Sequence, residues 1–317
     1  MDDLVTFGET MLRLSPPGDE RIETADRYDV HAAGAESNVA VAAQRLGLDA
    51  AWISKLPDAP PGRRVAGELR SHGVTVDTVW SETGRQGTFY LETGEQPRGN
   101  NVVYDRADAA VTTATPAELP VSRVEDATGF HTTGITPALS ETLAETTASL
   151  LGAARRAGTT TVFDCNYRSK LWSPAEARET MAGLLSDVDV FSVAERDART
   201  VFDRSGDAEG IARELAETFD LEVAILTRGT EPALAVAADE LYEQPTFEST
   251  DAHPVGTGDS FVGGFLSQYL DGRDVPEALE YAAATAAFKR TVPGDIAVVN
   301  PAEVEAIIDG GTAAISR

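Results

Sequence analysis

The stretch His253-Pro-Val-Gly-Thr-Gly-Asp-Ser-Phe-Val-Gly-Gly-Phe-Leu266 carries two glycines and a carboxylate at the point where a turn becomes a helix. From Asp259 onward, Phe261, Val262, Phe265, Leu266, Tyr269 and Leu270 fall on one face of a 3.6-residue repeat, which predicts a helix beginning close to Asp259. The backbone N–H groups of Gly256, Thr257 and Gly258 then cluster at the positive end of the helix dipole. They form a hole for phosphate oxygens that glycine lets come close. An aspartate beside such a hole is placed to take a proton from an attacking hydroxyl, as phosphoryl transfer to an alcohol requires. Taken alone, the same residues also suit a plain N-cap after a turn.

Outward from this stretch, short apolar runs alternate with amphipathic stretches almost from end to end, the pattern of a mostly parallel sheet covered by helices. The spacing predicts strands at Leu4 to Phe7, Ala51 to Ser54, Phe130 to Thr132, Thr161 to Asp164, Val188 to Ser192 and Val223 to Thr227. Ala233 to Ala237 pairs back after the Arg228-Gly229-Thr230 turn. Helices are predicted over Ala35 to Leu46, stopped at Gly47, and over Arg64 to Ser71, Glu141 to Arg156, Ala175 to Leu185, Ala208 to Phe219, Pro276 to Arg290 and Pro301 to Ile308. Met11 to Val30 and Gly84 to Ala109 break the rhythm, being polar, extended and rich in turn residues, with Phe89, Leu91 and Val103 among Gly94, Pro97 and Gly99. The reading is an α/β fold: one domain spanning 1–317, a three-layer, doubly wound, mostly parallel sheet with a small β lid formed by segments about 11–30 and 84–109. Ligands bind at the carboxyl ends of the parallel strands in such folds, where a lid would lean over them.

Composition narrows the function classes. Acidic residues outnumber basic ones 52 to 26, a formal net charge of −26, and the only lysines are Lys55, Lys170 and Lys289. At molar salt the screening length falls to about 3 Å, which silences such self-repulsion while the hydrated carboxylates keep the chain in solution. A halophile's cytoplasmic protein is the expectation. The charge is spread throughout and 42% of residues are hydrophobic, which argues against a disordered acidic tail, and without a basic patch nucleic acid is not a partner. The single cysteine, Cys165, forms no internal disulfide, and no Cys/His cluster has zinc spacing. The N-terminus has no leader pattern and no run approaches a membrane span, so no membrane partner is expected.

Other segments carry polar groups at suggestive places. Ala33-Gly34-Ala35-Glu36-Ser37-Asn38 opens a helix with small residues, so a polar ligand can meet the backbone of Gly34 and Ala35 and the side chain of Asn38, although a simple cap reads the same. In Gly87 to Arg98 and Val102 to Ala107, the residues Tyr90, Tyr104 and Arg106 suit a clamp for a polyol bearing an anionic group; a solvated hairpin with packed tyrosines is the alternative. Val162-Phe-Asp-Cys-Asn-Tyr-Arg168-Ser-Lys-Leu-Trp172 ends a strand and turns out of the sheet, placing Asn166 and Arg168 at its carboxyl edge, unless Arg168 merely pairs with an acidic neighbour on the surface. Thr227 and Gly229 occupy a strand-to-turn position that a plain β-turn also explains. No Gly-x4-Gly-Lys-(Ser/Thr) sequence exists, which excludes a P-loop, and Ser260 lacks the elbow of a serine hydrolase. His31, His72, His131 and His253 stand apart, without a nucleophile motif, and read as structural.

Gly256, Gly258, Asp259 and Phe261 match the carboxyl-terminal signature of the ribokinase-like (PfkB) sugar kinases, Asp-Thr-Thr-Gly-Ala-Gly-Asp followed by a small residue and Phe. The resemblance spans essentially the whole chain. It implies ATP as phosphoryl donor, Asp259 as base, and the amides of Gly256, Thr257 and Gly258 together with magnesium as the groups that neutralise developing charge. Gly34, Ala35 and Asn38 resemble the family's Gly-(Gly/Ala)-x-x-Asn run, which touches sugar hydroxyls. The two lid segments and the Asp164 to Trp172 segment resemble the 2-keto-3-deoxygluconate kinase branch. They imply that Tyr90, Tyr104 and Arg106 meet a sugar acid, that Arg168 reaches the sugar acid or the transferring phosphate, and that Asn166 lies by the nucleotide. Thr227 and Gly229 resemble the loop near the ATP phosphates and ribose. Asp295, in Pro293-Gly294-Asp295, resembles a loop residue that accepts a substrate hydroxyl.

Two positions depart from the pattern. In Ser192-Val-Ala-Glu195-Arg-Asp197, Ala194 replaces the amide and Asp197 the glutamate of an Asn-x-x-Glu motif that organises magnesium-bound water; Glu195 and Asp197 are the implied water-mediated Mg2+ residues, and a helix with a charged face is the other reading. His253 stands where the family has an aspartate that helps hold a monovalent cation, which leaves that requirement open, with Asp251 close by. The expected reaction is ATP-dependent phosphorylation of a primary hydroxyl of 2-keto-3-deoxygluconate or its galacto epimer. Fructose or another ketohexose is the runner-up, and a non-catalytic sugar-binding regulator is the alternative of another class. A homo-oligomer through exposed lid strands is expected.

Overall fold

A computed structural model of the chain describes residues 2–94, 97–249 and 253–310. The chain opens with β1 (Leu4–Phe7), β2 (Met11–Ser15), β3 (Asp29–Ala33), α1 (Ala35–Arg45), β4 (Ala50–Pro57), α2 (Pro60–Ser71), β5 (Thr75–Ser81), β6 (Thr88–Glu92) and β7 (Asn101–Asp105). It continues with α3 (Val121–Glu125), β8 (Gly129–Thr133), α4 (Glu141–Ala157), β9 (Thr160–Asp164), α5 (Pro174–Leu184), β10 (Val190–Ala194), α6 (Glu195–Val201) and α7 (Ala208–Phe219). The last part holds β11 (Val223–Arg228), β12 (Glu231–Ala237), β13 (Glu240–Gln244), α8 (Thr257–Tyr269), α9 (Val275–Lys289) and α10 (Pro301–Ile308).

Nine strands form the main sheet in the order β13-β12-β11-β10-β9-β8-β1-β4-β5. From β11 to β5 every pairing is parallel, and the β12–β13 hairpin adds an antiparallel edge. The central strands are short apolar runs because helices cover both faces. On one face Val5, Phe7, Phe130, Phe163 and Phe191 pack with Leu143 and Leu150 of α4, Met181 of α5 and Leu215 of α7. On the other, Leu4, Trp52, Val162 and Val190 pack with Val39 of α1, Val65 of α2, Phe265 of α8 and Leu279 of α9. Alternate residues of one strand thus feed opposite layers. From β1 the chain winds first through β4 and β5, then reverses past β1 to β8, so the carboxyl ends of β1 and β8 flank the switch point where α/β sheets bind ligands.

A second sheet, β3-β2-β6-β7, is the small β lid, with β2 parallel to β6 and the other pairs antiparallel. Only Gly8, Glu9 and Thr10 separate β1 from β2, and only Gly34 separates β3 from α1, so the lid stands directly over the carboxyl end of β1. Its inner face carries Met11, Ala33, Phe89 and Leu91.

Several boundaries differ from expectation. Helix α2 begins four residues before Arg64 because Pro60 fills a first-turn position whose N–H has no intrahelical partner anyway. The edge strands β5 and β13 are half exposed, which dilutes their apolar signal, and neither stands out in the sequence. β10 runs two residues later than Val188 to Ser192, after a tight turn over Leu185–Asp187. No helix among the described residues is long and apolar enough to cross a membrane.

Candidate active site

The carboxyl ends of β1, β8, β9, β10 and β11, the start of α1, the start of α8 and the inner lid face enclose a cleft of about 1070 Å³. Small-ligand pockets span roughly 300–1,000 Å³, so this one has room for a nucleotide and a sugar together.

Helix α8 starts at Thr257, two residues before Asp259, with Gly256 as its N-cap at φ +80°. A Cβ at Gly256 would also collide with the Asp295 carbonyl oxygen, so glycine is required twice over. The Thr257 amide and hydroxyl both turn back to the Pro254 carbonyl, at 3.3 and 2.8 Å, and Ser260 donates its amide and hydroxyl to the Gly256 carbonyl, at 2.9 and 2.7 Å. The first-turn amides that helix geometry leaves for a ligand are therefore those of Gly258 and Asp259, a shift of one residue from the expected cluster. All of Gly256, Thr257, Gly258 and Asp259 line the cleft.

Asp259 lies in the first turn, where Asn38 Nδ2 donates to its Oδ2 at 2.7 Å and Asn166 supplies another hydrogen bond. Gly263 makes the first contact possible: a side chain there would meet Ala42 and the Val39 carbonyl, so α8 packs close on α1 and brings Asn38 to Asp259. Burial raises the Asp259 carboxyl above its ordinary 3.8, opposed by the Asn38 hydrogen bond and Arg168. Asn38 Oδ1 and Glu9 Oε1, both on the cleft, are buried acceptors without a protein partner. Such orphans are costly unless a ligand donor meets them, which suits hydroxyl groups.

Asp164, at the end of β9, is pushed up to about 7 by burial and then by the Asp259 carboxylate, against Arg168 and a Ser192 hydrogen bond. Asn166 takes φ +37°, a left-handed conformation asparagine tolerates, and turns the chain out of the sheet so that exposed Arg168 reaches the cleft rim. Thr227 and Gly229, with Gly229 at φ +67°, line the far end.

Four expected roles change in the structure. Tyr90 faces away from the cleft and meets Tyr28 edge-on at 5.7 Å; strand alternation instead turns Phe89 and Leu91 inward, across from Tyr104 and Val102. Arg106 does line the cleft with Tyr104, 5.3 Å over its ring, but its guanidinium is ion-paired with buried Glu9 and is not a free fork. Asp295 is ion-paired with buried Arg13, so its carboxylate is shared rather than free for a hydroxyl. Both Glu195 oxygens are engaged by guanidinium groups, Oε1 with Arg199 at 2.6 Å and Oε2 with Arg228 at 3.0 Å, which neutralises the charge a metal would need. Asp197 is buried, burial raises its carboxyl, and it faces Arg168 and Asp164 on the cleft.

Glu9, Glu36 and Asp164 line the cleft but were missed in the sequence, because a loop, a helix start and a strand end look ordinary until the fold brings them together; Arg13, within β2, enters through its ion pair with Asp295. Glu36 is fully buried, accepts the hydroxyls of Thr133 and Thr136, each at 2.7 Å, and is pushed up to about 7 by burial. His131 is buried and held neutral, pushed down to about 3 by desolvation, which leaves it no acid–base role near neutral pH. Asp251 lies outside the described residues. Among the described residues no group of three or more His, Cys, Asp or Glu converges closely enough to hold a metal directly.

The fit to magnesium rests on donor chemistry: Asp164 and Asp197 both line the cleft, burial raises both carboxyls, Asp197 adds to the rise at Asp164, and a divalent cation bound through water would relieve both. A monovalent cation fits poorly. The Lys289 ammonium already sits on the Val292 carbonyl at 3.0 Å, with the His253 carbonyl at 3.5 Å, and residue 253 supplies an imidazole where a carboxylate is expected.

Comparison with known proteins agrees with this geometry. Residues 1–303 match the model of the pfkB family carbohydrate kinases. The chain is 60% identical over 315 residues, 99% of each protein, to a 2-dehydro-3-deoxygalactonokinase of Haloferax volcanii. It is 31% identical over 301 residues, 93% of this chain and 91% of the relative, to a 2-dehydro-3-deoxygluconokinase of Bacillus subtilis. The solved 2-dehydro-3-deoxygluconokinase of Thermotoga maritima aligns with a TM-score of 0.91 at 34% identity, covering 97% of this chain and 98% of that one. With the helix-start cradle, the carboxylate beside it and the lidded switch-point cleft in one place, the chain belongs to the pfkB family of carbohydrate kinases.

Proposed function

We propose that this kinase transfers the ATP γ-phosphoryl group to a primary hydroxyl of a 2-keto-3-deoxy sugar acid of the galactonate or gluconate kind. The observation that carries the reading is Asp259 beside the Gly258 and Asp259 amides at the floor of the cleft, with the orphan acceptors Asn38 Oδ1 and Glu9 Oε1 on the same cleft. Asp259 takes the hydroxyl proton; its raised carboxyl brings it nearer the working pH than an exposed aspartate. The amide pair receives charge building on the migrating phosphoryl group, already aimed and needing no reorganisation. Asn38 holds the base in place and offers its free oxygen to a sugar hydroxyl. Arg168, exposed at the rim near Asp164, Asp197 and Asp259, orients an anionic group, with donors of Arg106 that Glu9 leaves free as a second anchor. Thr227, Gly229 and Asn166 lie where a nucleotide would extend, and Gly34 and Ala35 offer backbone to the sugar. Asp197 and Asp164 are the residues for water-mediated magnesium, which when bound would offset phosphate charge.

The chain works on this reading as one kinase domain with its lid, in a salt-rich cytoplasm that suits its charge of −26. The edge strand β7 and the exposed Val103, 46% accessible, support a homo-oligomer formed through the lid.

The test is ATP turnover in molar potassium chloride with 2-keto-3-deoxygalactonate, 2-keto-3-deoxygluconate, fructose and ribose, alongside Asp259→Asn. The sugar acids should be preferred, and the variant should lose about 10²–10⁴ in kcat while still binding ATP. A preference for fructose moves the substrate to the ketohexoses. Sugar binding without turnover by the natural protein supports a regulator instead.

A further inference from the structure

Lys289 is one of three lysines in the chain, and it is wholly buried. It ends α9, and its ammonium donates to the Val292 carbonyl at 3.0 Å and to the His253 carbonyl at 3.5 Å. Burial lowers its affinity for a proton; Asp295 and Asp259 hold it charged and Arg13 opposes. A buried ammonium is expensive unless its neighbours replace water. Here backbone carbonyls do so, the same service that rings of carbonyls give a dehydrated alkali ion.

The position of those carbonyls matters. His253 leads into the Pro254–Gly256 turn that ends in the N-cap of α8, and Val292 leads into the loop whose Asp295 carbonyl lies against Gly256. The His253 amide is tied to the Arg290 carbonyl at 3.1 Å, so the same turn is gripped from both sides. The ammonium therefore spans the two loops that fix where the Gly258 and Asp259 amides point, and it adds positive charge behind them.

We propose that Lys289 is a positioning residue, a covalently attached cation that holds the 253–256 turn against the 292–295 loop and so sets the amide cradle, and that phosphotransfer here runs without a free monovalent cation. This rests on the kinase reading above for its catalytic consequence, and on the ammonium geometry alone for its structural one.

The test compares the natural protein with Lys289→Ala and Lys289→Met at constant ionic strength in potassium, ammonium, sodium or choline chloride. Two quantities are measured: phosphotransfer rate and melting temperature. The natural protein should turn over equally in potassium and choline salts. Lys289→Ala should fall about 10²-fold in choline, mainly in kcat, the loss expected from a misplaced cradle. Potassium or ammonium should restore part of the rate and raise the melting temperature of that variant alone, by entering the vacated space. Lys289→Met, which fills the space without a charge, should lose rate and show no rescue. A natural enzyme that needs potassium, a Lys289→Ala variant at full rate in choline, or a loss that no cation recovers in rate or melting temperature overturns the proposal. If the natural protein phosphorylates none of the sugars, the kinase reading fails, and cation-dependent melting of Lys289→Ala still decides the role of the ammonium. Should Lys289→Ala not fold in choline, folding restored by potassium supports the proposal and folding restored by none overturns it.

Discussion

Glu36→Gln should stabilise the protein, and by an amount that grows with pH. Glu36 is 1% exposed, its Oε1 accepts two threonine hydroxyls, and burial pushes its carboxyl from 4.5 up to about 7. In the unfolded chain the group ionises near 4.5, and in the folded chain only near 7. Between those values the folded state holds the extra proton, so stability falls as pH rises and the full cost is present above about pH 7. The gap, at about 1.4 kcal/mol per pH unit, corresponds to about 3 kcal/mol at pH 8 and about 1 kcal/mol at pH 5. Glutamine keeps an oxygen for Thr133 and Thr136 but has no charge to bury. Urea unfolding of both proteins at pH 5, 6.5 and 8 in fixed molar potassium chloride measures the difference directly. A difference that does not change with pH, or a variant less stable than the parent at pH 8, refutes the reasoning, because it would mean that Glu36 is ionised and well solvated or hydrogen-bonded in the fold.

Three further outcomes follow from the cleft. The base must be ionised, so kcat/KM should fall as pH drops through the Asp259 carboxyl, whose folded value burial lifts above 3.8; Asp259→Asn should abolish that limb along with the rate. Gly256→Ala should cost about 1–3 kcal/mol of stability for its left-handed N-cap and reduce kcat by displacing the cradle, as read from melting curves and turnover. Phe89→Ala should raise the KM for the sugar, whereas Tyr90→Phe should leave it unchanged, because only Phe89 faces the cleft.

The alternation of apolar runs with amphipathic stretches was enough to read a parallel sheet between helix layers, since burial on both faces leaves continuous apolar strands and helices leave a 3.6-residue stripe. The edge strands β5 and β13 escaped because one side of each meets solvent and the apolar signal thins. Which side a lid residue presents was also hidden: in β6 a shift of one residue exchanges Tyr90 for Phe89, and register is fixed only by pairing with β2 and β7.

The glycine-bounded helix start, the carboxylate in its first turn and the acidic surface are local facts, and the order of residues alone determined them. Only the tertiary structure decided which charges are spent and which remain. Asn38 meets Asp259 across 221 residues, Asp295 meets Arg13 across 282 and Arg106 meets Glu9 across 97. Glu195 is neutralised by Arg199 and Arg228, and Lys289 is enclosed by carbonyls from two loops. A side chain's charge state and availability depend on burial and on partners brought from distant parts of the chain, and neither is encoded in its neighbours along the sequence.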